Sequence, residues 1–226
     1  MLWKPPEMWK NGECWIIGGG SSIIEEFQIP QSVVNDVMRG QKHISTYSPY
    51  FSALHKKHVI GINAAYKLGN WLDIIFFGDP QFWKDHRDYL LLYPSLKVTC
   101  ADVGDKWKGI KWMRPDTRKK VGINAKKGFV SWNRNSGSAA LSLAVQLGVK
   151  RIILVGFDMR VNLNKQHWHN VYRKDGQAAR KLPFVNHLKP FSIIAQDAKD
   201  LGVEIINASP NSAIDCFEKT KIKELL

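Results

Sequence analysis

Histidines set among cations are the residues of this chain best suited to chemistry. Four of the seven, His86, His167, His169 and His187, lie near lysine- and arginine-rich stretches. An imidazole there titrates close to neutrality and can take a proton beside groups that hold an anion. Arg173, Lys174, Arg180 and Lys181 follow as candidate phosphate partners. The pair in "HWH" (167–169) is a weak zinc pattern, with no cysteine or third histidine at ligand spacing, so no metal is expected. A second set of residues suits an anion. The apolar run "CWII" leads directly into Gly18, Gly19, Gly20, Ser21 and Ser22, a turn that lets backbone N–H groups approach a phosphate or ribose without an intervening Cβ. It matches neither the dinucleotide fingerprint nor the phosphate-binding loop of kinases. Asn63, Asp79 and Asp158 each close another apolar run, and Ser136 and Gly137 open a long helical pattern whose dipole favours a negative group. Each aspartate or asparagine alone is equally a turn former.

The elements that must carry these residues alternate. Strand-like runs cover 14–19, 58–63, 73–79, 97–101, 151–158 and 203–209, and their continuous Ile, Val, Leu and Phe content suits strands buried on both faces of a parallel sheet. Helical patterns cover 80–92, 136–147, 189–201 and 213–225, with Gly148 and Gly202 as stops and Pro190 in a first turn. The expected architecture is α/β: a single Rossmann-like domain over 1–226, a mostly parallel sheet with helices on both faces, plus basic loop insertions. In such a sheet Asn63, Asp79 and Asp158 converge on the carboxyl edge, where open α/β folds bind ligands.

At 226 residues, 44% hydrophobic and 23% charged, the chain has enough apolar content for one core. No apolar run is long enough to span a bilayer and the first residues lack a continuous apolar segment, so a cytoplasmic protein with no membrane partner is expected. Cys14, Cys100 and Cys216 are too far apart to suggest a disulfide framework. The net charge of +13 is concentrated: 106–134 holds ten basic residues and one acidic, and 159–189 holds seven and one. Such clustering favours a polyanion. Within the first segment Trp107, Trp112, Phe129 and Trp132 alternate with cations, as stacking on bases beside a phosphate backbone requires, although the same rings could anchor the segment to the core.

The order of "IIGGGSS", "GINAAY", "NSGSAALSLAVQLGVKRIILVGFDM" and "VEIINASPNSAID" resembles the bacterial lipooligosaccharide sialyltransferases and their relatives, the motility-accessory-factor glycosyltransferases and the 6-hydroxymethylpterin pyrophosphokinase-like proteins. The resemblance implies a metal-independent transferase with a nucleotide-linked donor and no further cofactor. It assigns the nucleotide to Gly18, Gly20, Ser21, Asn63, Ser136, Gly137 and Gly156, with Gly19 and Asp79 added by their place on the same edge. It also implies His187 in "VNHLKPF" as the base and supplies Asp158 from "VGFD"; Tyr172 is the residue offered to the leaving phosphate, and His169 near it is a further catalytic candidate. The family's first turn carries Asn and Pro where this chain has Gly19 and Ser21.

Charge then directs the acceptor. The expectation is sugar transfer to a hydroxymethylated pyrimidine in DNA, as phage-type DNA-modifying glycosyltransferases perform in the host cytoplasm, with Lys119, Lys120, Lys126, Lys127, Trp132, Arg134, Arg173 and Lys174 contacting the nucleic acid. Three alternatives stay open: a lipooligosaccharide-type enzyme, a nucleotide-dependent pyrophosphokinase using Asp79 and Asp158, and a nucleic-acid-binding module without catalysis.

Overall fold

The computed structural model describes residues 1–102, 104–161, 167–171 and 184–226. Apolar runs become strands and the chain winds outward from the first. After β1 (Glu13–Ile17) come α1 (Ser22–Glu26), α2 (Gln31–Met38), a 3-10 stretch Ile44–Leu54, β2 (Val59–Ile62) and a 3-10 turn Asn63–Leu68. Then follow β3 (Ile74–Phe77), α3 (Pro80–Leu90), β4 (Leu96–Thr99), β5 (Lys111–Trp112), β6 (Arg114–Pro115) and β7 (Phe129–Val130). The remainder is α4 (Ser136–Gln146), β8 (Arg151–Val155), α5 (Phe184–Leu188), α6 (Phe191–Asp200), β9 (Glu204–Asn207) and β10 (Glu218–Lys219). Eight strands form one parallel sheet in the order β10-β9-β8-β1-β2-β3-β4-β5, while β6 and β7 make a separate parallel pair. The chain runs from β1 to β5 on one side, then returns to lay β8 on β1's other flank. That reversal puts the topological switch point at the carboxyl ends of β1 and β8.

Alternation along the strands divides the core. Cys14 and Ile16 of β1, Ile74 and Phe76 of β3, and Ile152 and Leu154 of β8 face α4 and α6. Trp15 and Ile17, with Ile153 and Val155, face α1, α2 and the 3-10 stretch, and Ile75 and Phe77 continue that second face under α3. The sheet is therefore covered on both sides, as its apolar runs demand. The six expected strands and three of the four expected helices form, each with ends within a few residues of those expected. The exception is 213–225. There β9 leaves an open edge, and Glu218 and Lys219 pair with Ile206 and Asn207 to fill it. Ile222 is buried on the second face and its N–H donates to Glu26, so the tail is an edge strand and a short 3-10 turn in place of a helix.

The basic segment 106–134 is tied down rather than loose. Trp107 stacks on Trp83 at 5.1 Å and on Phe77 at 6.2 Å. Asp197 of α6 accepts from Ile123 N and pairs with Lys119 at 3.0 Å. The buried amide of Gln146 donates to Asn124 O and Phe129 O and accepts from Gly128 N. Removing that amide leaves three buried backbone groups unpaired, each a desolvation cost with no offset. Gln146→Leu is expected to destabilise the protein by about 2–4 kcal/mol in urea unfolding, and a loss below about 1 kcal/mol would refute the tie.

Candidate functional site at the carboxyl edge

The glycine turn after β1 is lined by the chain itself. A Cβ on Gly20 would lie 2.5 Å from Asp158 Cγ and 2.6 Å from Gly156 O, and Gly20 N already donates to that carbonyl at 2.8 Å. Asp158, only 4% exposed, accepts from Ser22 N at 2.9 Å and from Ser22 Oγ, which also lies 3.1 Å from Ser209 Oγ. Ser22 is the first residue of α1, so a protein carboxylate holds the anion position that a phosphate takes at other helix starts. From above, Trp168 Nε1 donates to Gly18 O at 2.9 Å, Trp168 N to Gly19 O at 3.2 Å, and His167 Nδ1 to Gly19 O at 3.1 Å. The 1% exposed indole of Trp168 gave no signal in the sequence beyond its flanking histidines.

The other expected edge residues arrive where the sheet predicts, in varied roles. Asp79 caps α3, accepting from Gln81 N at 2.8 Å, and remains exposed. Asn63 adopts a left-handed conformation at φ 50°, and its buried Oδ1 finds no partner among the described residues. Asn135 caps α4 by accepting from Gly137 N and Ser138 N, and Gly137 gives room to the ring of Phe157. Tyr172, Arg173, Lys174, Arg180 and Lys181 lie outside the described residues.

The histidines divide. His167 and His169 stack at 5.0 Å with rings 5° from parallel. His169 is 5% exposed, and burial first, then the positive surroundings of His167, Lys67 and His86, hold its pKa well below the ordinary value. His86 shares a 3.0 Å hydrogen bond with the Tyr66 hydroxyl, and burial followed by Lys67 lowers it too. His187, half-buried on α5, is lowered by burial. Among the described residues no three His, Cys, Asp or Glu side chains are grouped to hold a metal ion.

An open cleft lies farther along the same edge. Its volume is about 1020 Å³, and it runs between the β4 and β5 ends and the start of α6, lined by Asp102, Trp112, Trp132, Arg134, Asn186 and Lys189 among others. Of the residues expected to meet nucleic acid, Lys120, Trp132 and Arg134 line it. Lys119 is paired with Asp197 and Lys126 sits 4.2 Å over the Phe129 ring. Lys127 donates to Pro5 O at 3.0 Å and to Gln146 O, with its side chain 39% exposed. Asp102 and Asp105 went unnoticed in the sequence, although they follow "KVTCA" just as Asp79 follows its strand.

No protein-family profile matches the chain, and no curated protein is similar to it. Among solved structures, the whole chain (100%) superposes on 36% of the MAf glycosyltransferase from Magnetospirillum magneticum AMB-1, with TM-score 0.61 and 10% identity. The two share a fold. The chain thus spans about a third of the length of that enzyme, and the resemblance read from its motifs holds at the level of architecture. A sialyltransferase, CST-II, solved with CMP, aligns over 92% of this chain and 86% of its own with TM-score 0.47 and 13% identity, too loosely to carry an argument. No helix among the described residues is long and apolar enough to cross a membrane.

Two measurements check this geometry. Gly20→Ala forces a methyl against backbone and carboxylate and is expected to cost about 1–3 kcal/mol in chemical unfolding; an unchanged midpoint would refute the close packing. The depressed pKa of His169 means that the unfolded chain binds its proton first. Stability from this site is therefore complete above pH 6.5 and lost as pH falls below it toward the folded value. The melting midpoint should drop on going from neutral to mildly acidic buffer, and His169→Asn should narrow that drop.

Proposed function

We propose that the chain is a glycosyltransferase moving a sugar from a nucleotide-linked donor to an acceptor hydroxyl. The observation that carries this reading is the likeness in fold of this whole chain to 36% of a glycosyltransferase, together with a cleft on the carboxyl edge of the sheet. The donor's nucleotide is read as lying along the rim from Asn63 and Asp79 to Ser136, beside the Gly18–Ser21 turn, whose carbonyls Trp168 and His167 already cover. Tyr172 and neighbouring cations would meet the leaving phosphate in place of a metal. His187 is the proposed base, because burial keeps its imidazole neutral near pH 7 and its neighbours Asn186 and Lys189 line the cleft.

In the proposed step the acceptor oxygen bonds to the anomeric carbon and its proton passes to the unprotonated nitrogen of His187. The bond from that carbon to the phosphate oxygen breaks, and the nucleotide leaves with the electron pair. The proposed acceptor is a hydroxymethylated pyrimidine of DNA, a reading supported by the net charge of +13 and its concentration in two segments.

Incubation with hydroxymethylcytosine DNA and a panel of nucleotide sugars, with and without EDTA, followed by nucleoside mass analysis, tests the whole reading. An added sugar that survives EDTA is the expected result. Donors that are neither bound nor consumed would refute glycosyl transfer, and transfer only to a glycan would refute the DNA acceptor alone. His187→Ala should lower kcat by about 10²–10⁴ without lowering the melting midpoint. In the parent the rate should fall as pH drops through a pKa below 6.5, since the base must be unprotonated.

A further inference from the structure

We infer that the cleft beside α6 is a seat for one unpaired nucleotide of a single strand, with Trp132 as the surface on which the base lies. The inference rests on the glycosyl-transfer reading for its chemistry and on the cleft alone for its binding. Trp132 is fixed from behind: a Cβ at Gly78 would lie 2.1 Å from its ring, and Cys100 lies against the same spot. A ring packed against backbone at its far edge and bordering a cleft is a surface on which a base can stack. Trp112, held by its Nε1–H donating to Ala101 O at 2.8 Å, stands on the same β4 shoulder.

The cleft carries both signs of charge, with Arg114 among its exposed cations. Arg134, Lys120 and Lys189 are exposed cations on its wall, suited to phosphate oxygens. Asp102 and Asp105 are acceptors suited to an exocyclic amino group or a hydroxyl of the base. Asp116 is already engaged by Arg118 N and by Asn124 Nδ2, which hold its carboxyl below the usual range.

A tight turn marks the same place. Asn133 and Arg134 are consecutive left-handed residues at φ 55° and 54°. Asn133 is buried and bonded to both polar groups of Gly122, which explains its conformation. Arg134 is the other central residue of the same turn, closed by Asn135 N donating to Trp132 O at 3.3 Å, and it lines the cleft.

About 1020 Å³ suits a nucleotide and its flanking phosphates. A paired base stays stacked in its duplex and cannot present itself in such a pocket unless it is extruded. Single-stranded DNA should therefore bind in preference to the duplex.

Fluorescence anisotropy with a short labelled single-stranded oligodeoxynucleotide, its blunt duplex and a neutral oligosaccharide tests this. Tenfold or greater preference for the single strand is expected. Arg134→Gly should weaken that binding about tenfold and reduce the salt slope by about one, while its melting midpoint does not fall because the strain is relieved. Lys189→Ala should weaken binding in the same direction. Equal affinity for duplex and single strand, or binding that neither substitution changes, overturns the inference. So does preference for the oligosaccharide, with glycosyl transfer left standing. Cleft-dependent binding of the single strand in a protein that consumes no donor would instead uphold the seat and refute the transferase.

Discussion

A buried carboxylate needs partners, and the way Asp158 finds them shapes the centre of this protein. It sits past the end of β8, 4% exposed, and takes its hydrogen bonds from Ser22 at the start of α1. This ties the ends of the two strands at which the sheet reverses direction. Gly20 and Gly156 must lack side chains for the two turns to touch. Left without Ser22, the carboxylate would bear an uncompensated desolvation cost, and the edge on which the site is built would lose its shape.

The basic segments pose a packing problem of their own, because a run of lysines has little apolar surface with which to hold itself to a core. The 106–134 segment solves it with aromatic and amide anchors. Trp107 enters the stack under α3, Trp112 and Trp132 clasp the end of β4, and Gln146 collects backbone groups from 124 to 129. With these anchors buried, most of the cations are displayed outward at little conformational cost. Trp132 anchors the segment, its ring packed against Gly78 and Cys100, while still bordering the cleft, so anchoring does not bury it away from a ligand.

How far a sequence of this kind can be read depends on the range of the forces involved. Period and apolar runs are local, and they gave all six long strands, the two-faced sheet and the stops at Gly148 and Gly202. The edge at which Asn63, Asp79 and Asp158 meet followed from parallel topology alone. What was not legible depended on partners distant in the chain. The tail 213–225 carries helical composition, but the free edge of β9 is a stronger claim on it than its own propensity. Lys127 reads as one more surface cation, and only the folded chain shows the carbonyls of Pro5 and Gln146 to which it donates. Trp168 reads as a ring between two histidines, while its indole N–H is spent on Gly18 O across 150 positions of sequence.

A glycine-rich turn followed by a helix invites an anion, and here the invitation is met internally. Asp158 supplies the negative charge at α1, Asn135 caps α4, and Trp168 with His167 closes over the carbonyls of the turn. The residues that most resemble a nucleotide motif are thus those most occupied in holding the edge together, and a cleft opens beyond them, between the β4 end and α6. The wall of that cleft is made of side chains such as Trp132, Arg134 and Lys189, which no glycine pattern specifies. Two chains could keep the same turn and sheet and still differ entirely in what they bind, because the fold fixes the edge while the cleft wall sets the chemistry.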